Sequence, residues 1–173
     1  MFAVVSLGLL QQYQIDRFTS VFATGAKANQ GAAYNQNQSK AAIANGKFSG
    51  QGLFKGKQTE LGFVPEQQTD FIFTAAGEEL GFVGGATLLA LFAVVLWRTW
   101  RTARLAADFF GTVVCAGILA VLAFQIFENI GMTMGIMPVT GITLPFMSYG
   151  GSSLVVSCAL IALVNNVYAR RFS

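Results

Sequence analysis

Three long apolar runs constrain this chain more than any other feature of its sequence. The first, Leu80–Trp97, contains no charge. At about 1.5 Å per residue it nearly crosses a hydrocarbon core of about 30 Å, and it crosses comfortably if it begins within 71–76. A second uncharged run covers Phe109–Phe127, and we expect its helix to continue to about Gly135; a third span covers Gly151–Tyr168. We therefore predict an all-α, polytopic membrane protein with three complete transmembrane helices.

The composition excludes a soluble globule and several kinds of catalytic site. Hydrophobic residues make up 54% of the chain and charged residues 11%, which is too little charge to cover a soluble surface. The chain has no histidine, so imidazole metal sites and Ser/His or Cys/His triads are excluded. Cys115 and Cys158 lie within apolar runs and indicate neither a disulfide framework nor a metal site. Any proton transfer by this chain would therefore depend on carboxylate side chains.

The segments before the first complete span differ in character. Residues 1–10 are apolar but only about half as long as a crossing helix, and we interpret them as the end of a truncated transmembrane helix. Residues 11–70 are rich in polar residues and glycine, which predicts a large aqueous loop. Within this loop, Gly46–Gln58 resembles a phosphate-binding loop but lacks its GK[ST] ending, so an ordinary turn-rich loop is the favoured interpretation.

Arginine clusters predict how the chain crosses the membrane. Arg98, Arg101 and Arg104 follow the first complete span, and Arg170 and Arg171 follow the third. The positive-inside rule places both clusters in the cytoplasm. Residues 11–70 then form an extracytoplasmic loop, and residues 71–173 comprise three transmembrane helices and a cytoplasmic C-terminus.

Four carboxylates, Glu66, Asp70, Glu78 and Glu79, stand where the polar loop enters the first complete span. Placing such groups at a membrane boundary costs free energy unless they are hydrated, form ion pairs or take part in the function of the protein. If the helix begins at Thr69, Asp70 lies in its first turn, where the helix dipole favours negative charge. Glu78 and Glu79 point to different sides of that helix, and either can pair with a loop lysine. From the residues alone, Asp70 is either a helix-capping residue or a functional group.

Three long motifs in these segments resemble one known family. In chain order they read NQSKAAIANGKFSGQGL, VPEQQTDFIFTAAGEELGFVGG and FENIGMTMGIMPVTGITLPFMSYGGSS. Together they closely resemble the C-terminal part of the RodA/FtsW/SpoVE family, the SEDS peptidoglycan glycosyltransferases, and the match covers nearly the whole chain. The first two motifs are more similar to the RodA elongation branch than to the FtsW division branch.

The resemblance implies a function. Family members are bacterial inner-membrane enzymes that polymerise lipid II into glycan strands, releasing undecaprenyl diphosphate, during cell-wall elongation and cell-shape maintenance. It implies a class B penicillin-binding protein, a transpeptidase, as partner. Much of the family fold is absent from this chain, so we expect its 173 residues to be inactive alone. Two alternatives remain open, a lipid II flippase and a non-catalytic fragment of the same family.

The resemblance also implies site residues. The family's essential aspartate corresponds to Asp70, which implies a general base or a ligand for a divalent cation, Mg²⁺ or Mn²⁺, with Glu66 as its catalytic neighbour. Where the family most often has histidine, this chain has Gln68, which keeps hydrogen bonding but does not titrate. Loop lysines are candidate contacts to the substrate diphosphate, although solvated surface lysines are commoner: Lys40, Lys47, Lys55 and Lys57.

Two features of the last motif stand out. Glu128 lies just inside a span, where an ionisable residue is a candidate for function, and a snorkelling or cavity-facing role is the alternative. The run Ser148–Ser153, SYGGSS, predicts close helix approach and polar lining near a cavity, with Ser152 as a candidate substrate contact. Simple glycine packing is the alternative for this run.

Overall fold

The computed structural model describes residues 31–56 and 68–172, which contain four α-helices and no strand. The helices are α1 (Gly31–Gly46), α2 (Ile72–Leu105), α3 (Phe109–Met134) and α4 (Gly151–Ala169), and a short 3₁₀ helix (Arg170–Phe172) follows α4. By length and composition, α2, α3 and α4 can each cross a membrane. The prediction of an all-α fold with three complete spans is confirmed. Residues 1–10, predicted to be the end of a further helix, lie outside the described residues.

Helix α1 corrects the prediction that residues 11–70 are a loop throughout. It packs against α2 and α3 and buries residues spaced three apart, which places them along one face of the helix. These residues are Ala33, Gln36, Ser39 and Ala42. Two of the four are polar, so the helix has no apolar stripe of the kind that reveals a packed helix in a sequence.

The polar residues of α1 bind the last turn of α3. The Gln36 side-chain amide donates to the carbonyls of Met132 and Met137, at 3.0 and 2.8 Å. The Ser39 hydroxyl donates to the carbonyl of Thr133 at 2.9 Å and also contacts the Thr74 hydroxyl on α2. The last four carbonyls of a helix have no partner within its regular hydrogen-bond pattern. At the end of α3, α1 therefore supplies a donor to Thr133 and adds a second donor to Met132, which also accepts from the N–H of Gly135.

Helix α2 is broken at Gly81, whose φ of 66° and ψ of −161° are not helical. The break separates the carbonyls of Glu78 and Glu79 from the N–H groups that would bind them in a continuous helix. The glycine-rich segment 47–52 replaces these partners in four backbone hydrogen bonds of 3.0–3.2 Å. In them Gln51 and Gly52 donate to Glu78 and Glu79, and Phe82 and Val83 donate to Lys47 and Phe48.

Glycines make this close contact between segments possible. A β-carbon at Gly81 would lie 2.2 Å from the backbone nitrogen of Gly50, and one at Gly46 would lie 2.0 Å from the carbonyl oxygen of Gly77. Gly50 and Gly81 also have positive φ values of 78° and 66°, a conformation that favours glycine. The segment thus acts as a turn that completes a broken helix, which agrees with the turn-rich interpretation of residues 46–58.

Two apolar clusters lie between the helices, one joining α2 and α3 to the loop that follows α3 and one joining α2, α3 and α4. The cluster nearer Gly81 contains Phe73, Phe92, Ile126, Ile130 and Leu144. The cluster nearer the arginines contains Ala103, Cys115, Ile118, Leu122 and Val164. Helix α4 buries only Ser157 and Val164. Most of the surface of α4 is therefore exposed and apolar, as expected for a helix in contact with lipid.

Candidate functional site

Asp70 lies in a turn immediately before α2, at the end of the bundle where α3 ends. Helix α2 begins at Ile72, its N-cap residue is Phe71, and its first turn contains no acidic residue. The expectation that the helix begins at Thr69, with Asp70 in its first turn, is therefore wrong. Asp70 is partly buried, on the side of the turn that faces the loop between α3 and α4.

The carboxylate of Asp70 lies against Gly141 in that loop. A β-carbon at Gly141 would lie 3.2 Å from Asp70 Oδ2, closer than nearly all real β-carbon contacts. Gly141 also has a φ of 77°, in the left-handed region that residues with a side chain rarely adopt. Glycine at this position therefore both shapes the loop and leaves room for the carboxylate.

Asn129 fixes the main chain on both sides of this contact. It lies on α3 and is completely buried. Its Nδ2 donates to the backbone carbonyl of Asp70 at 2.8 Å and to that of Ile142 at 2.7 Å. One amide thus joins the start of α2 to the loop that faces the Asp70 carboxylate. Asn129 is not among the residues predicted from the sequence, although an uncharged amide within an apolar span is itself a signal of internal hydrogen bonding.

Glu128, the preceding residue on α3, holds the same loop through its side chain. It is 5% exposed, and its Oε1 accepts a hydrogen bond from the Thr140 hydroxyl at 3.2 Å. This burial excludes the snorkelling role for Glu128, because a snorkelling group reaches the membrane surface. Glu128 and Asn129 together hold residues 140–142, the part of the loop that contacts Asp70.

A cavity of about 600 Å³ opens beside the turn that contains Asp70. It is lined by Gln68 and Ile72 from the turn and α2, by Phe146–Gly150 from the loop, and by Gly151 and Leu154 from α4. The backbone N–H of Tyr149 donates to the carbonyl of Gln68 at 2.8 Å, which ties the loop to the turn. The Tyr149 side chain is 77% exposed and so is available to a ligand.

Of the run SYGGSS, the residues Ser148, Tyr149, Gly150 and Gly151 line this cavity. The close helix approach predicted for this run is not seen at Gly151, where an added β-carbon would meet nothing within 4 Å. Ser148 also orders the loop, because its hydroxyl accepts a hydrogen bond from the backbone N–H of Leu144 at 2.7 Å. Ser152 is exposed in the first turn of α4 and is not among the lining residues. The structure therefore assigns the lining to the residues just before Ser152.

None of the described lysines lines this cavity. Lys40 lies on α1 with its side chain against Gly135, the left-handed residue that ends α3. A cation there is favoured by the partial negative charge of the helix C-terminus. Lys47 and Lys55 are exposed in the glycine-rich segment and the turn after it. Lys57 and Glu66 lie outside the described residues, so their roles remain predictions.

A divalent cation at Asp70 would have few protein ligands. In residues 31–56 and 68–172, no three acidic or cysteine side chains group together. Mg²⁺ is often bound by only one or two carboxylates, with substrate phosphates and water as its other ligands. The single carboxylate of Asp70 would hold such a cation only together with substrate phosphates and water.

Residues 1–172 match the model of the FtsW, RodA and SpoVE family, described as cell cycle protein. The chain is 44% identical over 163 residues to stage V sporulation protein E of Bacillus subtilis, covering 94% of this chain and 44% of that protein. It is 45% identical over 142 residues to peptidoglycan glycosyltransferase MrdB of Escherichia coli K12, covering 82% of this chain and 38% of that protein.

The fold is also similar to a chain in a solved structure of a peptidoglycan synthase complex, whose title describes the structural coordination of polymerization and crosslinking. The TM-score is 0.75 and the sequence identity 31%, with 99% of this chain and 46% of that chain covered. The chain thus spans less than half the length of these relatives.

Proposed function

We propose, since this chain belongs to the FtsW, RodA and SpoVE family of cell cycle proteins, that it is part of a peptidoglycan glycosyltransferase that polymerises lipid II. Its three apolar spans make it a segment of a multi-pass membrane protein, and we assign that protein to the RodA-like elongation branch. One observation carries the proposal. The Asp70 carboxylate lies against Gly141 in the loop between α3 and α4, and Asn129 holds both the Asp70 main chain and that loop. The same turn and loop supply Gln68 and residues 146–150 to the lining of a cavity of about 600 Å³, a lining that does not include Asp70 itself.

Asp70 would act on the acceptor sugar. In the reaction an acceptor hydroxyl forms a bond to an anomeric carbon, and the bond from that carbon to the diphosphate breaks, releasing undecaprenyl diphosphate. A carboxylate at this point can accept the hydroxyl proton as a general base. No second carboxylic acid is needed to protonate the leaving group, as a glycoside hydrolase requires, because a diphosphate is already a good leaving group.

The alternative role for Asp70 is to hold Mg²⁺ or Mn²⁺, which would neutralise the charge that develops on the departing diphosphate. Both roles need a carboxylate in a fixed position. The hydrogen bonds from Asn129 hold the main chain that carries this carboxylate and the main chain of the loop it faces. Gln68, on the cavity wall, can bind a sugar or phosphate oxygen but cannot relay a proton. Tyr149, also on the wall, offers an exposed ring against which a sugar can pack.

We also propose that the Asp70 end faces the outside of the cytoplasmic membrane and that a class B penicillin-binding protein binds the complete protein. The arginines at the opposite ends of α2 and α4 support this orientation. A cysteine at Asn35, in a background without native cysteines, should react with an impermeant thiol reagent in intact cells. A cysteine at Arg104 should react only after the membrane is opened, and the reverse pattern would contradict the orientation.

The direct test is the substitution Asp70→Asn in the protein as it is produced in its native organism. The purified variant is supplied with lipid II and the partner transpeptidase. The substitution keeps the shape of the side chain but removes its charge and basicity. We expect glycan product to fall by about a hundredfold or more at matched protein levels. The readout is the yield and length of glycan strands.

Asp108→Asn is the matched control. Asp108 caps α3, where its Oδ1 accepts from the backbone N–H of Gly111 at 3.2 Å, and asparagine caps a helix about as well. We expect product within about twofold of the unmodified protein. Near-normal product from Asp70→Asn would contradict the role of Asp70 in glycosyltransferase activity. Translocation of lipid II across the membrane would then be the next activity to measure.

A further inference from the structure

A second cavity, of about 500 Å³, lies between α2 and α4, toward the ends of these helices that carry the arginines. It shares only Phe146 with the lining of the Asp70 cavity. Toward the middle of the helices its wall is apolar and includes Val94, Ile161 and Val164. Toward the helix ends its wall becomes polar and cationic and includes Arg98, Arg101, Asn165 and Tyr168.

The two helices present these groups at matching heights. Along α2, Val94 precedes Arg101 by about 10 Å at 1.5 Å per residue, and along α4 Ile161 precedes Tyr168 by about the same distance. The apolar part therefore lies at the depth of the hydrocarbon, and the arginines lie where the spans end. Trp97 and Trp100, both exposed at this level, are typical of the membrane interface.

We propose that this cavity binds an anionic phospholipid, with its phosphate on Arg98 and Arg101 and an acyl chain along the apolar wall. The guanidinium group donates paired hydrogen bonds that match a phosphate. No carboxylate lines the cavity in the part of the chain that the structure describes, so its charge is complementary to an anionic headgroup. The proposal concerns a site separate from the Asp70 cavity and does not rest on glycosyltransferase activity.

The surroundings of the cavity favour a lipid over other anions and over neutral lipids. Within the described part of the chain, α4 buries only Ser157 and Val164, and its exposed apolar surface continues into the cavity, where an acyl chain can lie. A free phosphate would leave the apolar wall unused. A zwitterionic lipid would leave the net positive charge of the two arginines uncompensated.

The test is native mass spectrometry of the protein as its own cells make it, purified in detergent. Dioleoylphosphatidylglycerol, dioleoylphosphatidylcholine and inorganic phosphate are titrated separately. We expect the phosphatidylglycerol to be retained at least about tenfold more tightly than the phosphatidylcholine. The double variant Arg98→Gln/Arg101→Gln should abolish that preference.

Arg104→Gln is the matched control, because Arg104 lies over the Trp100 ring on the same helix and does not line the cavity. We expect its lipid preference to stay within about twofold of the unmodified protein. A third variant, Ile161→Trp, fills the apolar part while leaving both arginines in place, and it should also weaken phosphatidylglycerol binding. If the double variant does not fold, Ile161→Trp decides the question.

Several results would overturn the proposal. Equal retention of the two lipids, or a preference that survives loss of both arginines, would exclude an anionic lipid site. Displacement of lipid by inorganic phosphate at similar concentration would assign the arginines to a free anion. Absence of bound lipid on the unmodified protein would show that another segment or partner covers the cavity, and unchanged binding to Ile161→Trp would exclude the apolar wall.

Discussion

The Asp70 end and the arginine end of the bundle are built with different chemistry. At the Asp70 end, buried polar side chains from α1 and α3 bind main-chain groups that are distant in sequence: Gln36, Ser39 and Asn129. Glu128, also on α3, accepts a hydrogen bond from the Thr140 side-chain hydroxyl in the loop. At the arginine end, the interior is an apolar cluster around Leu122 and Cys115, and charge is confined to the rim. The interior of the end with the candidate site is therefore less apolar, and its polar side chains hold the loop and the main chain of Asp70 in place.

Burying polar groups within a membrane protein is costly unless every one of them finds a hydrogen-bond partner within the protein. The Asp70 end meets most of that demand with α1 and the segment 47–52, which supply hydrogen-bond partners to the end of α3 and to the break at Gly81. The Oδ1 of Asn129 is the exception, since it is buried without a hydrogen-bond partner among the described residues. The arginine end needs no such segments, because continuous helices satisfy their own main chain. Substitutions at the two ends should therefore have different effects, and three predictions test this in order of expected size.

The largest effect should come from Gly81→Ala at the break in α2. A β-carbon there would lie 2.2 Å from the backbone of Gly50, and the φ of 66° disfavours any side chain. We expect a loss of about 3 kcal/mol or more in the free energy of unfolding, measured by denaturation in detergent. Gly117→Ala on α3 is the control, because a β-carbon there meets nothing within 4 Å, and it should be neutral or stabilising. Equal stability of the two variants would contradict the role of the break.

A smaller loss of stability, with a fall in activity, should follow Asn129→Leu. The substitution leaves the carbonyls of Asp70 and Ile142 without their buried donor. We expect a cost of about 2–3 kcal/mol in unfolding free energy and, because the loop and Asp70 lose their common anchor, a fall of about tenfold or more in polymerisation at matched protein levels.

Asn166→Leu makes the same change at an exposed position near the arginine end. It should change stability by less than about 0.5 kcal/mol and leave polymerisation unaltered. If Asn129→Leu lowered stability but polymerised lipid II normally, Asn129 would support the fold without positioning Asp70.

The smallest effect should come from Ser39→Ala, which removes one hydroxyl from the contact between α1 and the end of α3. That hydroxyl donates to the carbonyl of Thr133 and also contacts Thr74. We expect a loss of about 1 kcal/mol in unfolding free energy. Ser49→Ala, at an exposed position of the segment 47–52, should be close to neutral. An equally small effect at both positions would indicate that α1 is held mainly by its other contacts.

Much of the fold follows from local features of the sequence. An uncharged run of sufficient length must form a helix in a bilayer, because its main chain finds no other hydrogen-bond partner there. The predicted runs from Phe109 and Gly151 accordingly begin where α3 and α4 begin. Asp70 was also identified before the structure, though by resemblance between motifs, since its position alone was equally compatible with a helix cap.

The three spans and the charged rim thus follow from local patterns along the chain, and the candidate carboxylate follows from the resemblance between motifs. Only the tertiary structure showed that residues 31–46 form a packed helix, that residues 47–52 complete the break at Gly81, and that Asn129 joins Asp70 to Ile142. The physical reason is the range of the interactions. A run of apolar residues indicates that the segment lies in lipid and not in water. The hydrogen bonds between α1 and α3 and between Asn129 and Asp70 instead join groups that are 59 or more residues apart. No local pattern in the sequence identifies such partners.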